Sequence, residues 1–182
     1  ADGVLTISDG IIDITKSYEG LEGLQVIINN GDISIVSSDD GINSTATSGQ
    51  GIVIDGGNLY ILAGGDGLDS NSRTAYSGIV FKGGKTVVIS TSGGNSAIDT
   101  EAGYTYTSGS VLAIMPNGGM TSEATHCSNF SSVAKKISMS LSSGKTLTVS
   151  VSNSAILSVK IPCNLSAIVI YLGSTSANIS LN

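Results

Sequence analysis

The stretch QVIINNGDISIV, residues 25–36, decides the fold. Apolar side chains alternate with polar ones on both sides of Gly31, and a period of two is typical of strands that bury one face. The pattern is therefore strand, glycine turn, strand. It recurs around four other glycines, in VLTISDGIIDIT (4–15), GIVIDGGNLYIL (51–62), GIVFKGGKTVVI (78–89) and GYTYTSGSVLAI (103–114).

The spacing between these repeats predicts a solenoid. The anchor glycines, Gly10, Gly31, Gly57, Gly84 and Gly109, are 21, 26, 27 and 25 residues apart. Such a spacing suits one coil of a parallel β-solenoid, in which each unit stacks on the last and buries a common column of aliphatic side chains. We predict an all-β chain in which residues 1–120 form a parallel β-helix of about four to five coils.

The last third of the chain has a different pattern. Alternating segments such as KTLTVSV (145–151) and AIVIYL (167–172) are separated by short Ser/Gly turns. They predict antiparallel hairpins or a small β-sandwich. We expect residues 121–182 to close one end of the solenoid within a single structural unit, because an open last coil exposes unpaired strand edges. The amino end shows no comparable cap.

Charge is unevenly distributed along the chain. Residues 1–101 carry a net charge of −9, whereas residues 102–182 carry +3. An acidic face argues against nucleic acid as a partner and would attract cations. No window is apolar enough for a transmembrane helix. The first ten residues, ADGVLTISDG, contain no signal peptide.

Acidic turns follow the anchors at a constant distance. YEGLEG (18–23), DDGINS (39–44) and GDGLDS (65–70) align with one another and with the later NSAIDTE (95–101). The first column of the alignment contains Glu19, Asp40, Asp66 and Ser96, and the second contains Glu22, Asn43, Asp69 and Asp99. Between them, Leu21, Ile42, Leu68 and Ile98 are expected to point inward. Gly20, Gly41 and Gly67 are expected to give the corner a sharp or left-handed conformation.

Stacked carboxylates indicate a cation. Equivalent residues of adjacent coils lie about 4.8 Å apart, and two carboxylates at that distance repel each other by roughly 1–3 kcal/mol. Oxygen ligands from Asp, Glu and Asn suit Ca²⁺. Zn²⁺ is disfavoured, because the chain has one histidine and no cysteine pair in metal-binding spacing. The alternative is that Asp and Asn stand here because they favour turns and keep the surface soluble.

These turns resemble a family of bacterial carbohydrate-binding β-helix domains that are related in fold to pectate lyases. The resemblance rests on SYEGLEG (17–23), SDDGINS (38–44), GGDGLDSN (64–71) and GNSAIDTEAGYTYTSGSVLAI (94–114), which occur in the family's order. It covers about residues 4–115, and the tail is also typical of the family. Asn43 departs from the pattern, since an acid there would strengthen the site.

The resemblance implies a right-handed parallel β-helix and binding of acidic or cellulosic plant polysaccharides. Members occur in secreted proteins, so it also implies a secreted or cell-surface location. It further implies Ca²⁺ at the acidic turns, bound by Glu19, Glu22, Asp40, Asn43, Asp66, Asp69 and Asp99.

Three functions remain open. The first is a non-catalytic, calcium-dependent carbohydrate-binding module, in which calcium bridges protein carboxylates to uronate carboxylates. The second is a structural subunit of an extracellular fibril whose copies assemble head to tail through exposed β-helix edges or through strand exchange. The third is a lyase, which needs a base such as arginine near the metal. We favour the binding module and expect no catalytic activity.

Three side chains are the candidates for contact with a sugar. Tyr18 and Tyr60 are candidate aromatic platforms, since the chain has no Trp. Arg73 is the only arginine and follows Asp69 by four residues. The simpler expectation for Arg73 is a solvated side chain paired with a neighbouring acid. Tyr104 and Tyr106 are expected in the core.

Covalent modification has two sets of candidates. Cys127 and Cys163 form a disulfide or remain two separate buried thiols. Sequons place candidate glycosylation sites, which matter only in a eukaryotic source, at Asn43, Asn129, Asn164 and Asn178.

Overall fold

The computed structural model describes residues 2–182, which form 19 strands and two short helices. The first four repeats contribute three strands each, and the fifth contributes two. In chain order these are β1 (Val4–Ile7), β2 (Ile11–Ser17), β3 (Leu21–Gly23), β4 (Gln25–Ile28), β5 (Asp32–Ser37), β6 (Ile42–Ser44), β7 (Ile52–Ile54), β8 (Asn58–Ala63), β9 (Leu68–Ser70), β10 (Ile79–Phe81), β11 (Lys85–Ser90), β12 (Ile98–Thr100), β13 (Thr105–Tyr106) and β14 (Ser110–Pro116). The tail contains α1 (Thr121–Thr125), α2 (Phe130–Val133), β15 (Ala134–Leu141), β16 (Thr146–Val151), β17 (Ser154–Lys160), β18 (Leu165–Leu172) and β19 (Asn178–Leu181).

Equivalent strands of successive repeats pair in parallel, so the solenoid has three faces. The first sheet consists of β1, β4, β7, β10 and β13; the parallel part of the second, of β2, β5, β8, β11 and β14; and the third, here called the corner sheet, of β3, β6, β9 and β12. The predicted all-β solenoid with parallel sheets is confirmed. The predicted count of about four to five coils is slightly too high, because the fifth repeat has no strand in the corner sheet.

Alternation directs every second side chain of these strands into the solenoid. Ile28, Ile54 and Phe81, which occupy the same row of the first sheet, are 0% exposed. Tyr104 and Tyr106 are buried in the same core, as predicted. Equivalent residues therefore stack into columns, so a residue's position in its repeat decides whether it faces the core or solvent.

The anchor glycines are required by backbone conformation and by close stacking. All five have φ between +75° and +122°, a region that residues with a Cβ rarely adopt. A Cβ on Gly57 would also lie 2.6 Å from the carbonyl oxygen of Gly31. Only glycine therefore fits the turn between the first and second sheets.

The tail continues the second sheet and then covers its outer surface. β18 pairs antiparallel with β14, and β15 pairs antiparallel with β18 at the edge. A separate three-stranded antiparallel sheet, here called the tail sheet, has the order β17–β16–β19. Both arrangements predicted for the tail, a hairpin and a sandwich, occur. β16 and β17 form an antiparallel hairpin, and the SSGK turn (142–145) carries the chain from the second sheet to the tail sheet, as in a sandwich.

A second core lies between the tail sheet and the outer surface of the second sheet. Leu112 and Ile114 from β14 are buried there with Leu147 and Val149 from β16. The end of the solenoid interior is covered by the segment around the two helices, where Ala124 is buried in the first core. The tail therefore covers a flank of the solenoid as well as its end.

The first coil is different, because nothing in residues 2–182 pairs with the outer edges of β1, β2 and β3. Val4 is 57% exposed and Ile11 is 85% exposed at this end. Neither helix of the described chain has the length and apolar character needed to cross a membrane.

Candidate functional site

The corner sheet brings the predicted second acidic column into one row. Glu22 pairs with Asn43, Asn43 with Asp69, and Asp69 with Asp99 on adjacent parallel strands. The neighbouring aliphatic residues point inward, and Ile42 is 0% exposed. The register predicted from the acidic turns is therefore confirmed, and the four polar side chains alternate out of the core into a single outward row, here called the acidic row.

The first column stacks through hydrogen bonds that use its carboxylates. The backbone amide of Asp66 donates to Asp40 Oδ1 over 2.8 Å, and the amide of Ser96 donates to Asp66 Oδ1 over 2.5 Å. Each of these two acids thus accepts a bond from the next coil. These aspartates consequently have a structural role that does not depend on a bound ion.

Burial and mutual repulsion raise the pKa of the corner carboxyls. Burial is the largest cause at Asp66, whose pKa rises to about 6, and at Asp69, whose pKa rises to about 7. The charges of Asp40 and Asp99 raise both further. The pKa values of Glu19, Asp40 and Asp99 are also raised, again chiefly by burial. The corner is therefore a site where negative charge is poorly compensated.

Two buried oxygen atoms at the corner have no hydrogen-bond partner among residues 2–182. They are Glu19 Oε2 and Asn43 Oδ1. A side-chain hydrogen bond with Asn43 lowers the pKa of Glu19, so these two side chains lie next to each other. Leaving a buried acceptor unpaired costs about 1–3 kcal/mol. Both atoms are oxygens, which are the donors that Ca²⁺ prefers.

The corner acids form a ladder rather than a closed cage. Among residues 2–182, no three His, Cys, Asp or Glu side chains converge on a point that could hold a metal ion. The donor chemistry of the predicted positions fits calcium, but carboxylates alone do not complete a coordination shell. An ion here would draw further oxygens from Asn43, from backbone carbonyls, from water or from a ligand.

The three candidate ligand-binding residues do not come together. Tyr18 is 72% exposed at the corner, where a hydrogen bond with Asp39 and the charges of Asp39, Glu19 and Asp40 raise its pKa. Tyr60 lies half-buried on the outer surface of the second sheet. Only Tyr18 therefore lies beside the acidic columns.

Arg73 is exposed in the loop after β9, where its backbone amide donates to the carbonyl of Thr47. The expected pairing of its guanidinium with a neighbouring acid is wrong, because the single ion pair within residues 2–182 joins Lys82 to Asp55 over 3.0 Å. A loop position without an acid partner leaves the side chain free in solvent. Nothing in the surroundings of Arg73 therefore aims it at the acidic row.

A groove that the sequence did not indicate lies on the outer surface of the second sheet. It has a volume of about 500 Å³ and is lined by Asp13, Asp32, Tyr60, Lys85 and Leu157, among others. The tail sheet reaches Tyr60 and Leu62 on β8, but β2 and β5 contribute nothing to the second core. The outward rows of β2 and β5 could have been read from the alternation, whereas the wall at Leu157 depends on where the tail folds back.

The cysteines and sequons occupy different environments. Cys127 and Cys163 are free thiols, so the disulfide candidate is not formed. Cys127 Sγ lies 3.2 Å from Asn129 Oδ1, and burial raises the pKa of its thiol, whereas Cys163 lies near Tyr60. The four sequon asparagines divide into half-buried and exposed residues: Asn43 and Asn129 are half-buried, and Asn164 and Asn178 are exposed.

Comparison with known proteins leaves the geometry as the guide to function: no protein-family model, no curated protein and no solved structure matches this chain.

Proposed function

We propose that the chain is a secreted or cell-surface, non-catalytic carbohydrate-binding module that uses Ca²⁺ at its corner sheet and binds acidic or cellulosic polysaccharides. The observation that carries the proposal is the acidic row, in which Glu22, Asn43, Asp69 and Asp99 lie in register on four parallel strands. We further propose that the β-helix is right-handed, as connections between parallel strands nearly always are.

Calcium accounts for features of the corner that are otherwise unfavourable. Asp69 and its acidic neighbours repel one another in a partly buried position, as the raised pKa of Asp69 indicates. A divalent cation would offset that repulsion and give Glu19 Oε2 and Asn43 Oδ1 a partner. Glu19, Glu22, Asp40, Asn43, Asp66, Asp69 and Asp99 are the proposed donors.

An incomplete protein coordination shell supports a polysaccharide ligand. When protein carboxylates leave part of the shell of Ca²⁺ open, sugar carboxylates or hydroxyls can occupy the remaining positions. This arrangement lets an acidic protein bind a uronate, because the cation lies between the two negative partners. Tyr18, exposed beside these acids, is placed to pack against such a ligand.

A role as a binding module is favoured over a lyase. Elimination from a uronate needs a base held over the C5 proton beside the metal. Arg73 lies in an exposed loop, and no acid within residues 2–182 pairs with its side chain to orient it. The remaining polar groups of the corner are oxygen donors, which bind a cation. Because the charges of these carboxyls raise one another's pKa, no single carboxylate stands out as the base.

The test combines calcium binding with sugar binding. Metal-free protein titrated with Ca²⁺ in a calorimeter should bind the ion, and Asp69→Asn should weaken it, while the exposed acid variant Asp2→Asn should not. Polygalacturonate should retain the wild type in calcium and release it in chelator. Retention that is unchanged by chelator, or by Asp69→Asn, would remove the calcium mechanism.

A fibril subunit is the second candidate, favoured by the first coil alone. The outer edges of β1, β2 and β3 have no partner within residues 2–182, and Ile11 is 85% exposed there. Unpaired edges of this kind template the addition of another copy. Filaments in negative-stain images would support this role, whereas a monomer by light scattering at high concentration, with and without calcium, would exclude it.

A further inference from the structure

We propose that the groove over Tyr60 is a second saccharide site, independent of calcium, that takes a neutral pyranose chain. The inference rests on the proposed function, since it gives the neutral ligands of the same module a site of their own. It concerns a surface that shares none of the corner carboxylates.

The floor of the groove provides an aromatic platform. Tyr60 stands in the middle of an outward row, between Ser34 on β5 and Val87 on β11. Both neighbours are smaller than tyrosine, and the tyrosine side chain is half-buried, so its ring lines the groove. An aromatic ring offers an apolar surface with a polar tip, which suits the C–H face of a pyranose flanked by hydroxyls.

The rim of the groove provides hydrogen-bonding groups in a fixed order. Asp32, Asn58 and Lys85 follow one another in the adjacent row of the same sheet. Asn58 Nδ2 donates to Asp32 Oδ1 over 2.7 Å, which holds both side chains in position. The rim thus presents a carboxylate, an amide and an ammonium, and between them they can accept from and donate to sugar hydroxyls.

Charge decides between neutral and acidic sugars. An adjoining recess of about 340 Å³ shares Ile11, Asp32 and Asn58 with the groove and adds Asp9. Together the two hollows contain three carboxylates, those of Asp9, Asp13 and Asp32, against the single ammonium of Lys85. A uronate or phosphate would be repelled here, whereas hydroxyls are not.

The shape favours a chain over a single sugar. The two hollows adjoin each other at Ile11, Asp32 and Asn58, which line both, and their lining residues run from Gly10 in the glycine turn to Leu157 on β17. A linear surface of this kind, with one aromatic platform and polar groups along one side, fits several consecutive residues of an oligosaccharide.

The experiment measures binding of three neutral hexasaccharides, cellohexaose, mannohexaose and xylohexaose, in chelator. At least one should bind the wild type. Tyr60→Ala should weaken it about tenfold or more, because an aromatic contact and its buried area are lost. Tyr60→Phe, which keeps the ring, should restore most of the affinity, and Tyr76→Ala, which removes a tyrosine elsewhere, should change it by less than about threefold.

A second measurement keeps the result independent of folding. Amide resonances of residues 32–36, 58–60 and 85–87 should shift on adding the bound sugar, while those of the corner sheet should not. Shifts confined to the corner, loss of binding in chelator, equal losses in the two tyrosine-to-alanine variants or failure of all three sugars would overturn the inference. So would loss of self-association, rather than of sugar binding, in Tyr60→Ala.

The two proposals fail in different ways. Uronate binding in calcium without neutral-sugar binding leaves the proposed function and removes only the groove site. Neutral-sugar binding that depends on Tyr60, together with a failure of calcium to support uronate binding, leaves the groove and removes the cation mechanism. If neither class of sugar binds under either condition, both proposals are wrong.

Discussion

Asp69 and Asp99 lie directly opposite each other on the parallel strands β9 and β12. The charge of Asp99 is among the causes that raise the pKa of Asp69 to about 7, after burial and the charge of Asp40. Paired like charges are unfavourable across a sheet. The pairing therefore marks a place where a bound cation would relieve repulsion directly.

Replacing Asp69 by asparagine should have opposite effects with and without calcium. In chelator at pH 8, Asp69→Asn should unfold at higher denaturant than the wild type, because a repelled and partly buried charge is removed. In calcium at one hundred times the dissociation constant, the wild type should gain about 2.7 kcal/mol, and the variant should gain less. Urea unfolding with and without calcium measures both effects, and equal behaviour of Asp2→Asn and Asp69→Asn would contradict the assignment.

The stability of calcium-free protein should depend on pH with a defined sign. The pKa of Asp66 rises to about 6 and that of Asp69 to about 7, from an ordinary value of 3.8. At pH values between the ordinary pKa and these raised pKa values, the folded state therefore binds more protons than the unfolded state. This contribution to stability is complete below about pH 4 and is lost as the pH rises through about 6 to 7.

Denaturant titrations at several pH values in chelator should follow that decline. Calcium should reduce or reverse it, because the ion competes with protons for the same oxygens. The double variant Asp66→Asn and Asp69→Asn should flatten the calcium-free profile. A wild-type profile that rises from pH 4 to 8 in chelator would show that other groups dominate.

Asn43 allows the opposite substitution to Asp69→Asn, in which a carboxylate is added to the acidic row. Asn43 lies between Glu22 and Asp69 in the acidic row, and its buried Oδ1 has no hydrogen-bond partner in the described part of the chain. Asn43→Asp should raise calcium affinity, since a carboxylate binds the ion more strongly than an amide, and should lower calcium-free stability by roughly 1–3 kcal/mol through added repulsion. The exposed variant Asn178→Asp makes the same change of charge on β19 of the tail sheet, and it should alter neither quantity.

The repeats predicted the solenoid and the acidic row because both depend on local alternation and constant spacing. Residues such as Ile42 and Asp69 occupy defined positions in their repeat, so stacking follows once the strands are parallel. Handedness, by contrast, has no signature in the spacing. The anchor glycines were also readable, because a strand–turn–strand repeat needs the conformation that Gly31 adopts, with φ of +122°.

The groove could not be predicted, because its wall and its floor come from distant parts of the chain. Tyr60 and Leu157 meet only because the tail returns across the second sheet, and the alternation in the tail does not say which sheet each strand joins. The ion pair expected between Arg73 and a neighbouring acid does not form within residues 2–182, where the chain turns out of the corner sheet after Ser70.

The corner glycines are needed for contact between coils rather than for a left-handed turn. Of the sharp or left-handed conformation expected there, the left-handed alternative is wrong, because Gly20, Gly41 and Gly67 do not have positive φ. Instead, a Cβ on Gly41 would meet the Ile61 side chain and lie 2.5 Å from the carbonyl oxygen of Gly67. The backbones of adjacent coils therefore touch at the corner, where the amide of Ile42 donates to that same carbonyl over 3.0 Å.

Gly41→Ala should consequently destabilise the protein by about 1–3 kcal/mol, the usual cost of forcing extra volume into a packed site. It should also weaken calcium binding, since pushing the coils apart moves Asp40 and Asn43 relative to the strand that carries Asp69. Gly93→Ala is the matched control: a Cβ there meets nothing within 4 Å and φ is not positive, so stability should stay equal or rise. Urea unfolding and calcium calorimetry of both variants distinguish an effect of close packing at Gly41 from a general effect of replacing glycine by alanine. Equal losses of stability in the two variants would contradict the role of close packing.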